Sequence, residues 1–404
     1  MSIFDSREDR NRGRSRQFNP AWSSPSGGGF NPALESFILG LDGLGAGTIN
    51  TAPQVGTGSP TFTRATVAWT KLANGLWAQV ASGTARSSYI GLTTAVSTYG
   101  GYLAEDAGTQ LVTPTASIRD MTDASWVKVT MNAAKTATGI DGVTNSASTI
   151  TATGASSTIL KTLVAAASSR TYGPWIRRKT GTGTIELMQG ATALDITAQI
   201  NSATYTRVQL PASVLDSAFG IRITTSGDAL DVDFNQFEAG AFATSPMDAA
   251  GAARNVDELS YPFAGNGDAT QGTAYAELTT EWTAAPSSAM AVSFSGVLGG
   301  GIINGRATIA STVTGIRDGT NLVEKNGLTA LNTGIRKRAS SWGTTGLSVA
   351  GDGAAPATGA FDGDIGSVSV QIGGISGSSW YGTIKNIRIW KTQLPDATLQ
   401  TLTA

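Results

Sequence analysis

Short runs in which apolar and polar residues alternate, separated by glycine-bearing turns, recur along most of the chain. Phe219, Ile221 and Ile223 alternate with small or polar neighbours. After a turn at Thr225-Ser226-Gly227-Asp228, the apolar face resumes with Leu230, Val232, Phe234 and Phe237. A period of two marks half-buried strands, and two such runs about a Gly-Asp turn predict a hairpin that closes a sheet. The same pattern predicts strands at 126–129, 149–153, 159–163, 172–179, 184–188, 193–197 and 204–210, which with that hairpin suit an eight- or nine-stranded sandwich over 113–246. A second set at 273–280, 290–294, 301–304, 307–311, 314–318, 334–341 and 346–349 predicts a second sandwich over 254–404. Its closing strand is built by Ile384, Ile387, Ile389 and Trp390. Leu394-Pro395-Asp396 then starts a short helix carrying Leu399 and Leu402. Residues 31–112 read as a small β attachment region, with a bulge or change of face where Phe62, Ala65, Val67 and Trp69 cannot share one side. Residues 1–30 read as an extended arm.

Composition sharpens this all-β reading. Glycine is abundant, 50 of 404 residues, and charged residues make up only 14%. That mixture suits many short strands and tight turns. The formal net charge of -1 gives no general pull toward nucleic acid or membrane. With no cysteine, disulfides, thiol nucleophiles and cysteine metal sites are excluded. With no histidine, Ser-His-Asp and Cys-His catalysis and histidine metal sites are excluded too. A hydrolase built on this chain would need a carboxylate pair. No apolar run approaches the roughly 18 residues of a membrane span, and MSIFDSREDRNRGRSR lacks the apolar centre of a signal peptide. Synthesis in the cytoplasm is expected.

Several phrases carry a family resemblance. FNQFEAGAFATSP, with Gln236 and 238–246, followed by RNVD at 254–257, resembles a phrase of phage virion proteins. There a carbohydrate-binding jelly roll is followed by a concanavalin-like, laminin-G-like domain. PTFTRAT at 60–66 and YLAEDAGTQLV at 102–112 resemble two further phrases of the same proteins, with Gly108 and Gln110 in place of the usual arginine and asparagine. The C-terminal stretch 380–404 resembles the closing strand of laminin-G-like domains. The resemblance implies two β-sandwiches, one jelly-roll and one concanavalin-like, behind an N-terminal arm and a small β region. It also implies a structural protein of a tailed-phage particle: a fibre, spike or head decoration that docks on capsid, portal or tail and forms a homo-oligomer, by family habit a trimer.

Sugar-binding proteins stack exposed aromatics on sugar faces beside amides, carboxylates or arginines. The candidates here are Trp126, Tyr172, Trp175, Arg177 and Arg178 in the first sandwich, and Trp282, Trp342, Trp380 and Tyr381 in the second. The plainer reading of each large aromatic is a core position. In the arm, Phe4, Phe18 and Trp22 are candidate docking anchors, with Arg12 and Arg14 as polar clamps; the plainer reading is a solvated tail. Asp228, Asp231 and Asp233, and likewise Asp352, Asp362 and Asp364, could form oxygen-rich loops, but none matches a calcium-binding spacing, and no metal or cofactor is called. Glu277 and Glu281 share a strand face without the E-x-D-x-E pattern of concanavalin-like glycanases. The expectation is therefore a non-enzymatic adhesin for host cell-surface polysaccharide, located in the virion, with no nucleic acid and no membrane insertion. The alternatives are a polysaccharide depolymerase and a cementing protein that binds no sugar.

Overall fold

The computed structural model describes residues 35–404, apart from 42, 46, 92, 97, 164–167, 215–217, 241, 249–252, 281–288, 294–300, 306–312, 331–333, 366–367 and 375–378. The arm candidates Phe4, Arg12, Arg14, Phe18 and Trp22 lie outside the described residues, as do Trp282 and Glu281. Residues 35–404 form one compact unit, and its architecture is all-β, with paired antiparallel sheets.

The larger sandwich faces an eight-stranded sheet against a seven-stranded one. In the first, Gly272–Thr279 and Gly382–Trp390 pair at the centre, with Arg336–Gly343 and Gly346–Gly351 on one side. Alternation sorts the side chains as expected. Ala274, Ala276 and Leu278 enter the core, while Tyr275 and Glu277 point outward to Arg388 and Lys385 on the neighbouring strand. The core also takes Ile384, Ile387, Val349 and a fully buried Trp342. Trp342 lies against Gly272 so closely that a Cβ there would stand 2.3 Å from the indole ring, so only glycine fits. The helix Asp396–Thr403 lays Leu399 over Tyr275, Ala339, Ala350 and Trp390 on the outer face.

The strands expected as a separate region at 31–112 are shared out between the sandwiches. Glu35–Leu39 and Tyr99–Ala104 pair with Gly382–Trp390, and Thr61–Thr63 pairs with Glu258–Pro262. Phe37, Leu39 and Tyr102 are fully buried in the C-terminal core. That sandwich is thus discontinuous in sequence, with the jelly roll inserted into it.

The jelly roll faces Val127–Val129, Ser157–Thr162, Ala218–Ile223, Ile185–Gln189 and Thr192–Asp195 against Met131–Ala137, Ala147–Ala152, Ala229–Asp233, Trp175–Thr180 and Thr206–Arg207. The expected hairpin of 219–237 is corrected here. Its two runs do not pair; residues 224–228 carry the chain from one sheet to the other. Both runs keep their apolar residues in the shared core, where Phe219 stacks on Phe237 at 4.1 Å. The hairpin Ala68–Lys71/Trp77–Val80 belongs to this core as well. Trp69 meets Phe234 edge-on at 5.0 Å and Trp77 meets Trp175 at 5.2 Å.

Candidate functional site

The tryptophan hairpin covers only part of the outer face of one jelly-roll sheet, and the candidate site is the part left open. Ile176, Leu230, Val232 and Ile150 fill the core, so the period of two turns Trp175, Arg177, Asp231, Asp233 and Thr149 outward. The row Arg207–Trp175–Asp233 is buried beneath the hairpin. The next row, Arg177–Asp231–Thr149–Ala134, lies beyond its edge. There the Asp231 carboxylate accepts hydrogen bonds from Arg177 Nη2 at 2.7 Å and from Thr149 Oγ1 at 2.7 Å. Lys179 Nζ stands 3.8 Å from Asp231 Oδ1 and donates to Thr149 Oγ1 at 3.1 Å. Ala134 is small and exposed at the end of the row.

The wall of this ledge is Tyr205. Its ring carries the Arg177 guanidinium at 4.7 Å, and its hydroxyl donates to the Thr138 carbonyl at 2.9 Å. Two bonds tie its backbone to Thr94: Thr94 N donates to Tyr205 O at 2.9 Å, and Tyr205 N donates to the Thr94 side-chain Oγ1 at 3.0 Å. Burial pushes the Tyr205 phenol up, so it remains a neutral donor. Deeper in, Arg119 grips Asp233 at 2.7 and 2.9 Å and Asp141 at 2.7 Å. Burial raises the Asp233 carboxyl against the pull of that guanidinium. The hydrogen bonds and ring contact among Arg177, Asp231, Thr149 and Tyr205 hold these groups in place, which lowers the ordering cost of binding.

Most of the aromatics singled out in the sequence are elsewhere. Trp126, Tyr172, Trp175, Trp342 and Trp380 are at most 2% exposed, so none of them presents a stacking face to solvent. This corrects their reading as sugar platforms. The polar tips of four of them are satisfied inside: Trp126 by the Ser117 carbonyl, Tyr172 by Asn235, Trp342 by the Asp268 carbonyl and Trp380 by the Thr279 carbonyl. Burying so much aromatic area is what a sandwich core needs. Tyr381 is half-buried, edge-on to Phe242 at 4.8 Å across the junction of the two sandwiches. Of the described candidates, Arg177 alone falls on the open ledge; Arg178, on the other side of the strand, binds Asp228 and the Gly183 carbonyl. The aspartates picked out as oxygen-rich are engaged by protein groups: Asp228 by Arg178, Asp231 by Arg177 and Asp352 by Arg338 at 2.6 Å. Among the described residues, no group of three carboxylates is placed to hold a metal ion.

The residues of the recurrent phrases converge on one buried network at the junction. Asp257 accepts from Arg64 at 2.7 Å and also from Arg86. Arg86 reaches Glu105 at 2.8 Å and Ser245 Oγ at 2.9 Å. Glu105 accepts further from the Ser245 amide at 2.8 Å and forms an ion pair with Arg254 at 3.1 Å. Glu238 takes Thr244 and Gln236, each at 2.6 Å, and Gln110 bonds the Phe237 amide at 2.9 Å. Burial alone would raise Glu105, but Arg254, Arg86 and the Ser245 donors hold it down to about 2. Burial prevails at Glu238 and raises it. Thus Arg64, Glu105, Gln110, Gln236, Glu238, Arg254 and Asp257 form a joint between sandwiches. Arg86 was missed; its only signal was a lone cation in a serine-rich strand.

In structure the chain is similar to the N-terminal CBM22-1-CBM22-2 tandem domain of Xyn10C from Paenibacillus barcinonensis, at 11% identity and a TM-score of 0.24, over 72% of this chain and 100% of that one. No family model matches the chain, and no curated protein matches it in sequence.

Proposed function

We propose that this chain is a non-enzymatic adhesin of a tailed-phage particle, a fibre, spike or head decoration, that holds surface polysaccharide on the open ledge of its jelly roll. The observation that carries the sugar-binding half is the ledge itself: Arg177, Asp231, Thr149 and Lys179 locked into a ladder beside Tyr205, with small Ala134 leaving room at its end. Donors fixed in advance on this row suit an oxygen-rich ligand. The virion half is supported by the phrases at 60–66, 102–112, 236–246 and 254–257. Clamping of Asp231 and Asp233 by arginines supports binding over catalysis, because a glycosidase needs carboxyls available for proton transfer and attack. Weak single sites on an oligomeric particle would gain avidity through effective concentration.

The test is a glycan array probed with the full chain and with Ala134→Trp, which crowds the ledge without replacing a charged group. The expected result is at least a tenfold loss of glycan retention at unchanged melting temperature. Retention equal to the parent chain would remove the ledge from the proposal. A second reading, cementing without sugar, draws on the jelly roll's opposite sheet. There Val127, Leu160, Met188 and Ala193 align in one outward row across the strands, Val127 being 61% exposed. Silence on the array together with particle disassembly in its absence would favour that reading.

A further inference from the structure

The ledge is layered by charge. Its carboxylate lies beneath and its cations lie on top: the Asp231 side chain is 6% exposed, against 28% for Arg177 and 47% for Lys179. The deeper pair repeats the order, with Asp233 fully buried under an Arg119 side chain that is 17% exposed. Both oxygens of Asp231 already accept hydrogen bonds from Arg177 and Thr149. A ligand laid on the ledge therefore meets ammonium and guanidinium donors first, and finds the acceptor below them already occupied. Arg177 reaches Asp231 through Nη2 while Tyr205 supports its plane, which holds the group in place for planar recognition.

We infer that the ligand is an acidic polysaccharide, one whose sugars carry carboxylates, with Arg177 and Lys179 as the groups that receive the carboxylate. This rests on the ledge being the sugar-binding face and adds the class of sugar. A neutral glycan would have to compete with Asp231 for donors that are already engaged, whereas a carboxylate adds a second anion to two cations that share one. The interaction is between partly exposed charges, so it weakens with salt.

The test measures binding of the full chain to polygalacturonate and to the same polymer after reduction of its carboxyls, at low salt and with added sodium chloride. The expected result is at least tenfold tighter binding of the acidic polymer, weakening as salt rises. Lys179→Gln should lower that affinity about tenfold, and Lys179→Arg should restore it. Lys179 is exposed, so neither change disturbs the core. Equal binding of both polymers, abolished by Ala134→Trp, would overturn the acidic class while leaving the ledge as a sugar site. Binding of neither polymer by a folded chain that also ignores a glycan array would overturn both. Comparable binding of duplex DNA would overturn the inference by making the cations a general anion surface.

Discussion

At Glu105 one carboxylate faces Arg86 and Arg254 inside the protein and takes two bonds from Ser245. Such groups are costly to bury and costly to unpair. Glu105→Gln should lower stability at neutral pH by about 3 kcal/mol or more, because two guanidiniums lose a counter-charge. The pH dependence has a definite sign. The folded-state value of about 2 lies below the ordinary 4.5, so this carboxylate contributes stability above pH 4.5 that is lost as the pH falls toward 2. Glu238, raised by burial, has the opposite sign: its cost appears as the pH rises past the ordinary carboxyl range. Urea melts from pH 7 to pH 2 should show a shallower acid decline for Glu105→Gln than for the parent; parallel declines would contradict the assignment. Glu105, Glu238, Ser245 and Arg254 were legible within the family-like phrases and Arg86 was not, and a phrase does not say whether its charges face solvent or one another. The tryptophans were harder to read still, since an indole that stacks on sugar and one that fills a core leave the same letter.

Strands were legible because alternation is local, and 273–279 shows it plainly, while 384–390 is interrupted by a register shift between Lys385 and Arg388. Partners were not, because pairing is set by surfaces far apart in the chain. Glu35–Leu39 looks like an isolated apolar run, yet it pairs with Gly382–Trp390. The tryptophan hairpin looked like part of an attachment region, yet Trp69 and Trp77 close the jelly-roll core. The hairpin read at 219–237 failed because its turn residues also suit a crossing between sheets. It follows that residues 113–246 alone lack part of their core. Expressed alone, that segment should aggregate or bind a hydrophobic dye, whereas 61–247, which restores the hairpin, should give a sharper melt. A cooperative, dye-silent 113–246 would contradict the assignment of the hairpin.

On the scale of the molecule, the two sandwiches are nested and joined through a charged knot with no exposed face. Arg64, Arg86 and Asp257 are each at most 2% exposed. Loops crossing a buried joint of this kind hold the jelly roll at a fixed attitude to the domain that surrounds it. For the proposed adhesin role, rigidity in the joint means that a binding face is presented rather than searched for, and multivalency gains from such alignment. That proposal depends on whether and where sugar binds. The most direct measurement is a crystal structure of the full chain with an oligosaccharide selected on the array. The account expects sugar density over Thr149, Asp231 and Arg177, beside Tyr205 and against Ala134. Density on the C-terminal sandwich, with that ledge left bare, would contradict it.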